Sequence, residues 1–129
     1  MKNKLIKVSK KTINQINRGK LCVFELSDNF QIKRIFNIHG YKNEIRGNHA
    51  HKKTIQIFIC IKGEIEIYLE SVNLKKIVLL NEKSKPLIVY PYTWVTICFK
   101  KDGILSVLAN MKYLKSDYIN NKDQLKNFK

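Results

Sequence analysis

The segment Thr54-Ile-Gln-Ile-Phe-Ile-Cys-Ile61, followed after Lys62-Gly63 by Glu64-Ile-Glu-Ile-Tyr-Leu69, sets the fold class of this chain. Apolar side chains recur at every second position in both halves, which is the period of a β-strand and not of a helix. The Lys62-Gly63 pair between the halves predicts a tight hairpin turn. The segment therefore predicts two adjacent strands joined by that turn.

Shorter apolar segments on both sides continue the β-pattern. Strands are predicted at residues 4–8, Lys20–Leu26, Phe30–Ile38, Lys75–Leu80, Leu87–Tyr90, Thr93–Phe99 and Ile104–Leu108, with a loop over His39–Gly47. Short strands at close spacing, with almost no helical periodicity, are typical of an antiparallel sandwich or barrel. The tail over residues 116–129 predicts a short C-terminal helix that begins near Asp117. Its apolar face would hold Tyr118, Ile119, Leu125 and Phe128.

Length and composition indicate one soluble globular domain over residues 1–129, with 44% hydrophobic and 10% aromatic residues. No apolar run approaches the ~18 residues of a membrane helix, and no apolar segment follows the basic N-terminus as a signal peptide requires. Cys22, Cys60 and Cys98 lie in apolar stretches, which predicts buried free thiols in a reducing cytoplasm. The net charge of +15 suits a polyanionic partner, but the lysines are scattered, which argues against a nucleic-acid-binding domain.

Two of the three histidines stand in Arg46-Gly-Asn-His-Ala-His-Lys-Lys53, just before the long apolar run. In a regular strand, His49 and His51 would point to one face with Cα atoms roughly 6.6 Å apart. Imidazoles titrate near neutral pH, so such a pair can hold a metal or move protons. The plain structural alternative is two satisfied histidines on a partly polar face.

A metal site would need more ligands than this pattern supplies. The His-x-His pattern in a small β-barrel is similar to the cupin metal site, which adds a glutamate and a third histidine on a later strand. Here Gln56 and Val95 occupy those places, which leaves two good ligands of four, and we predict no metal. Gln56 is also an odd number of residues from His51, so a bulge or a turn must intervene if both face one site.

Without a metal, two histidines in an apolar cup suit acid–base chemistry. A neutral imidazole can take a proton from the carbon next to a ketone, and a protonated one can return a proton to the neighbouring carbon, each transfer contributing roughly 10²–10⁴ in rate. Arg34 and Arg46 are candidate ligands of a diphosphate, because a guanidinium meets phosphate oxygens in a bidentate fork.

These residues, in their order along the chain, resemble the dTDP-sugar 3,4-ketoisomerases. The matching positions are Phe30, Lys33-Arg34-Ile35, Arg46–Lys53, Gln56, Cys60, Tyr90-Pro91, Trp94, Val107-Leu108-Ala109 and Ser116-Asp117-Tyr118-Ile119. The resemblance runs from about Arg18 to Ile119, and its most specific part is the Arg-Gly-x-His-Ala-His-Lys-Lys core.

The resemblance implies a cupin-type jelly-roll barrel without metal or cofactor, in a homodimer that exchanges N-terminal strands. It implies conversion of dTDP-4-keto-6-deoxyglucose to a 3-keto-6-deoxyhexose, which an aminotransferase then uses to make 3-amino sugars. The catalytic pair of the family falls on His49 and His51, and its arginines fall on Arg34 and Arg46. Many members have histidine where this chain has Val95, a departure that bears on the stereochemistry of the product.

Other candidate substrate contacts are Gln56, Tyr41 in the loop before the pair, and Trp94, whose face suits stacking on thymine. A loop tyrosine and a core tryptophan are the plain alternatives for the last two. Two other functions remain open: 3,5-epimerisation of the same substrate and a metal-binding cupin. The epimerase reaction relies on a histidine supported by an aspartate, and the sequence shows no matching His–Asp arrangement.

Overall fold

Eleven β-strands and two short 3-10 helices make up residues 5–127, the part of the chain that the structure, a computed structural model, describes. The strands are β1 (Val8–Gln15), β2 (Gly19–Leu26), β3 (Arg34–Gly40), β4 (Ile45–His51), β5 (Gln56–Lys62), β6 (Glu64–Ser71), β7 (Leu74–Asn81), β8 (Leu87–Val89), β9 (Trp94–Phe99), β10 (Gly103–Ala109) and β11 (Tyr118–Ile119), and the 3-10 helices are Lys115–Asp117 and Lys122–Asn127. Every strand pairing is antiparallel. Within these residues, no helix has the length and apolar character that crossing a membrane would need.

Two large sheets face each other and enclose the main core. One has the strand order β3-β10-β5-β8 and the other β11-β4-β9-β6-β7, while β1 and β2 form a separate two-stranded sheet. Side chains from both large sheets pack together between them, among them Phe58, Ile67, Phe99 and Leu105. This sandwich of non-sequential strands has the jelly-roll character of cupin-like barrels and confirms the predicted fold class.

The predicted hairpin at Lys62-Gly63 is wrong, because β5 and β6 lie in different sheets. β5 pairs with β10 and β8, whereas β6 pairs with β9 and β7. The turn is therefore a corner between the sheets. Gly63 adopts a φ of +91°, and a Cβ there would lie 2.6 Å from the Asp102 carbonyl oxygen, so this corner requires glycine.

β5 is apolar on both faces because each face packs against a different part of the chain. Phe58 and Cys60 face the main core, while Ile57 and Ile59 pack on the outer side of the sheet. A second cluster, which includes Ile6, Phe30, Val8, Phe24 and Leu26, covers that outer side. The N-terminal segment thus closes one face of the sandwich.

The chain end covers part of the opposite sheet. Ile119 and Leu125 pack against Ala50 of β4 and Trp94 of β9. The predicted C-terminal helix is instead two 3-10 segments on either side of β11, because residues 118 and 119 pair with β4 in extended conformation. Phe128, predicted on the helix face, lies outside the described residues.

Two further predictions need correction at the N-terminal end. The first strand is β1 at Val8–Gln15 and not residues 4–8, of which residue 4 lies outside the described range. Its sequence, VSKKTINQ, is mostly polar and mostly exposed, so it lacks the apolar alternation that reveals other strands. Cys22, which was predicted to be buried, is an exposed thiol on β2 of the separate two-stranded sheet, whereas Cys60 is buried and Cys98 is half-buried.

Candidate active site

A pocket of about 320 Å³ opens between the two large sheets. Arg46, His49, Gln56, Val95 and Tyr118 are among its lining residues, so three of the predicted site residues meet there. Gln56 begins β5 after the turn that follows β4, so a turn resolves the parity mismatch between Gln56 and His51. The remaining lining includes apolar side chains of the main core, such as Phe58 and Ile97, which make the floor apolar.

A β-bulge in β4 brings His49 to the pocket. The predicted loop over His39–Gly47 is only the short turn between β3 and β4, and the pairing of β4 with β9 shifts register between Gly47 and His49. Gly47 adopts a φ of +88° and Asn48 one of +61°. A Cβ at Gly47 would lie 2.8 Å from the Val95 carbonyl oxygen, so a larger residue would force the strands apart.

The two histidines lie side by side after the bulge. Their ring centroids are 5.3 Å apart, with the ring planes at 84°. The Tyr118 ring lies against both, at 5.0 Å from His49 and 4.4 Å from His51. His49 lines the pocket, whereas His51, only 6% exposed, stands behind the lining.

Each imidazole has a different partner at Nδ1. His49 Nδ1 lies 3.2 Å from the Gly47 carbonyl oxygen, and since a carbonyl only accepts, this nitrogen donates. His51 Nδ1 donates to Asp117 Oδ2 at 3.0 Å. Both contacts leave Nε2 as the nitrogen that can exchange a proton in the neutral ring.

Asp117 and Tyr118 are site residues that the sequence analysis did not assign to the site, and the expectation of no matching His–Asp arrangement is wrong. Asp117 makes that arrangement with His51. It is 4% exposed and also accepts hydrogen bonds from the Thr54 hydroxyl at 2.5 Å and the Lys53 amide at 2.7 Å. It reaches His51 because β11 pairs with β4, with Tyr118 opposite His51. The sequence signal of this arrangement is the Ser116-Asp117-Tyr118-Ile119 segment, which is among the positions of the family resemblance.

Burial and charge favour neutral histidines in the free site. Burial lowers the pKa of His49, a shift that the Gly47 hydrogen bond opposes and the Arg34 charge reinforces. Burial also lowers the pKa of His51, although the hydrogen bond to Asp117 opposes the shift. Burial alone would raise the pKa of Asp117, but hydrogen bonds from Thr54, His51 and Lys53 together hold it below its ordinary value. The arrangement thus holds two neutral bases beside one carboxylate.

Arg34 lies close to the histidines but is not among the residues that line the pocket. Its Nη2 donates to the Tyr118 hydroxyl at 3.4 Å, and its guanidinium stacks 4.9 Å from the centroid of Phe36 and 5.7 Å from that of Tyr113. Its buried Nε has no hydrogen-bond partner within residues 5–127. The guanidinium therefore places positive charge next to the imidazole pair.

The structure does not bring Tyr41 or Trp94 into the pocket. Tyr41 is 73% exposed in the turn before β4, where it borders a separate shallow pocket with Asp102. Trp94 is 7% exposed and packs against Ile119 and Leu125 under the chain end. The predicted stacking of Trp94 on thymine would need its ring at the pocket, and this ring lies in a core cluster instead.

The donor set does not fit a divalent metal. Among the described residues, no three histidine, cysteine or carboxylate side chains are grouped closely enough to bind one. Asp117 already occupies Nδ1 of His51, and Val95 stands directly opposite His49 in β9, where its side chain offers no ligand.

Comparisons with known proteins identify relatives over the whole chain. The family model FdtA (WxcM-like, C-terminal) matches residues 1–129. The TDP-4-oxo-6-deoxy-alpha-D-glucose-3,4-oxoisomerase of Aneurinibacillus thermoaerophilus is 36% identical over 132 residues, which cover 99% of this chain and 93% of that protein.

Solved structures agree with this relationship. The QdtA sugar 3,4-ketoisomerase of Thermoanaerobacterium thermosaccharolyticum, in complex with TDP, has a TM-score of 0.82 at 33% identity, covering 95% of this chain and 92% of that one. WlaRA of Campylobacter jejuni, a TDP-fucose-3,4-ketoisomerase, has a TM-score of 0.79 at 35% identity, covering 93% and 92%. The resemblance predicted from the His-x-His segment is thereby confirmed, and the chain belongs to the FdtA (WxcM-like, C-terminal) family of sugar 3,4-ketoisomerases.

Proposed function

We propose that this protein converts dTDP-4-keto-6-deoxy-D-glucose to a dTDP-3-keto-6-deoxyhexose by proton transfer through His49 and His51. The observation that carries the proposal is the imidazole pair, 5.3 Å apart between ring centroids, of which His49 lines a pocket of about 320 Å³ and His51 lies directly behind it. The two rings are in edge-to-face contact, so a sugar that binds beside His49 also lies close to His51. Similarity to a TDP-4-oxo-6-deoxy-alpha-D-glucose-3,4-oxoisomerase at 36% identity, and to a sugar 3,4-ketoisomerase that binds TDP at 33%, supports the same substrate class.

The reaction balances without a cofactor. A neutral imidazole removes the proton from C3, which is acidic because it adjoins the C4 ketone, and O4 gains a proton as the C3–C4 enediol forms. C4 then gains a proton while the hydroxyl on C3 loses one, which leaves the ketone at C3. Each positioned transfer contributes roughly 10²–10⁴ in rate. Because His49 lines the pocket, it is the imidazole that meets the sugar directly, and His51 is the second proton carrier.

Positive and amide groups supply the rest of the proposed site. Arg46 and Gln56 line the pocket and are the proposed ligands of the nucleotide sugar. Arg34, beside Tyr118, stabilises negative charge that develops on the enediol oxygens and is a weaker candidate for the diphosphate than Arg46. The net charge of +15 steers a doubly charged diphosphate toward the protein.

The biological setting is part of the proposal. The product would feed an aminotransferase that makes a 3-amino-3,6-dideoxyhexose for surface polysaccharide. Free thiols at Cys22, Cys60 and Cys98 support a cytoplasmic location. A homodimer with exchanged N-terminal strands is proposed from the family resemblance. The β1–β2 sheet, whose Ile13 and Leu21 expose 37% and 46% of their surface, supports contact with a second copy.

The test is incubation of the protein with dTDP-4-keto-6-deoxyglucose in heavy water, followed by NMR of the sugar. We expect the ketone to move to C3 and deuterium to enter at C4. Coupling to a 3-aminotransferase then fixes the configuration at C4. Unchanged substrate after long incubation contradicts the proposal.

A second candidate, 3,5-epimerisation, is favoured by one observation, the His51–Asp117 pair. The same spectra separate the two reactions. Epimerisation leaves the ketone at C4 and places deuterium at C3 and C5, whereas ketoisomerisation moves the ketone. The catalysed reaction is therefore identified by the carbon that carries the ketone in the product.

A further inference from the structure

Asp117 lies at the centre of a buried hydrogen-bond network next to His51. One carboxylate oxygen, Oδ2, accepts from both His51 Nδ1 and the Thr54 hydroxyl, while Oδ1 accepts from the Lys53 amide. The Asp117 carbonyl also accepts from the Lys52 amide at 2.8 Å. A group with three donors aimed at its carboxylate is held in one orientation, so the position of the His51 ring is fixed from behind.

We propose that Asp117 is a positioning residue of the reaction, which locks His51 in the tautomer that carries hydrogen on Nδ1 and keeps Nε2 free to exchange protons. This inference rests on the proposed function for its kinetic consequence. The tautomer itself is a property of the free protein, so it can be tested without a substrate.

The proton arrangement follows from the chemistry of the partners. A carboxylate already accepting from Thr54 and Lys53 can only accept from His51, which therefore carries hydrogen on Nδ1 in both its neutral and its charged form. Proton exchange is thereby confined to Nε2. The same carboxylate stabilises the imidazolium each time His51 takes up a proton.

The other nitrogen of His51 has no protein partner. Nε2 is buried and makes no hydrogen bond to any residue in the range 5–127. Leaving a buried polar atom unpaired is costly, so native proteins keep such atoms mainly where function uses them. The groups that face the His51 ring, besides Asp117, are His49, Tyr118 and the Arg34 charge. A reacting sugar that enters beside His49 and Tyr118 would supply the missing partner.

Asp117→Asn is the decisive variant because it keeps the shape of the side chain. The Lys53 amide fixes the asparagine oxygen at the Oδ1 position, so the new amide group faces His51 and donates to Nδ1. His51 is then forced to carry its hydrogen on Nε2 in the neutral ring. Nitrogen-15 NMR of the histidine side chains reports this change directly in the free protein.

Thr54→Val is the matched control. It removes another hydrogen bond to Asp117 Oδ2 and leaves the contact with His51 intact. We expect both variants to lose stability, but only Asp117→Asn to lower kcat, by about 100-fold or more with KM within about threefold, because only it removes the proton-accepting nitrogen. The acidic limb of its pH–rate profile should also move to lower pH, since the carboxylate no longer favours the charged imidazole.

Three results would overturn the inference: a wild-type His51 that carries hydrogen on Nε2, an Asp117→Asn variant with kcat within threefold of wild type, or equal loss of kcat in both variants. The last result would assign Asp117 a structural role only. A wild-type protein that does not move the ketone defeats the proposed function instead, and the tautomer spectra then decide the role of Asp117 alone.

Discussion

His49 and His51 are two residues apart in one strand, yet their surroundings are made by different parts of the chain. His49 lines the pocket, and its Nδ1 donates to the carbonyl of Gly47 in the same strand. His51 is buried, and its Nδ1 donates to a carboxylate 66 residues further along the chain. We call these the His49 side (Gly47 and His49) and the His51 side (Thr54, His51 and Asp117).

The difference between the two sides has a chemical meaning. A neutral carbonyl orients an imidazole but stabilises its charged form weakly, whereas a buried carboxylate stabilises the imidazolium strongly. We therefore expect His49 to exchange protons with the sugar and His51 to hold a proton between the two steps. One strand thus presents two identical side chains whose Nδ1 partners differ in charge.

Replacing either histidine tests this comparison with the largest expected effect. We expect His49→Asn and His51→Asn each to lower kcat by about 10²–10⁴, because each removes one proton carrier. The two variants should differ in stability. His51→Asn takes a donor from a buried carboxylate and should lower the free energy of unfolding by about 1–3 kcal/mol, while His49→Asn should change it by about 0.5 kcal/mol or less.

Urea unfolding followed by Trp94 fluorescence, together with initial rates at pH 8, measures both quantities. Full activity in either variant would remove that histidine from the mechanism. Equal losses of stability would show that the His51–Asp117 contact stabilises the folded protein no more than the His49–Gly47 contact does.

The pH dependence of stability gives a smaller effect with a definite sign. Both histidines have pKa values below 6.5 in the folded protein, chiefly because they are buried. The unfolded chain therefore takes up protons at a higher pH than the folded one. The free energy of unfolding should be nearly constant between pH 8 and about pH 7.5 and fall as the pH drops through 6.5, by up to about 1.4 kcal/mol per pH unit for each proton.

Urea unfolding between pH 8 and pH 5 measures this slope. His49→Asn and His51→Asn should each make the slope shallower. The low pKa of Asp117 adds a further loss only below its ordinary value near 4, outside this range. The hydrogen bond to Asp117 opposes the lowering of the His51 pKa. Asp117→Asn should therefore lower this pKa further, so that the loss of unfolding free energy continues to a still lower pH. A flat profile in the wild-type protein would show that the folded state does not disfavour protonation of either ring.

The contrast between the two sides also explains what the sequence could predict. The His49 side is local, since Gly47 and His49 belong to one short segment and the alternation of β5 follows directly after it. The His51 side depends on β11 pairing with β4, and two residues of strand leave no periodic pattern. The sequence therefore does not predict the His51–Asp117 contact, although both residues are among the positions that carry the family resemblance.

The same limit explains the misassigned turn. Lys62-Gly63 between two alternating segments suits a hairpin, but it suits equally a corner that carries the chain from one sheet to the other. The choice is made by β9 and β10, which begin about 30 and about 40 residues after the turn and pair with β6 and β5 respectively. The local pattern predicts that each segment is a strand, whereas its distant partner strands determine which sheet it joins.

The smallest expected effect is that of replacing Tyr41, which tests whether the His49 side includes the turn before β4. Tyr41 lies in the turn just before β4, but it is 73% exposed, and its backbone amide is held by the Glu44 carboxylate at 2.7 Å. Tyr41→Phe should therefore change kcat/KM by about twofold or less and stability by about 0.5 kcal/mol or less. Tyr118→Phe is its matched partner, because it removes the hydroxyl that Arg34 contacts at the site. A larger loss of activity in Tyr41→Phe than in Tyr118→Phe would mean that the nucleotide sugar binds across the turn, and the His49 side would then have to include this exposed rim.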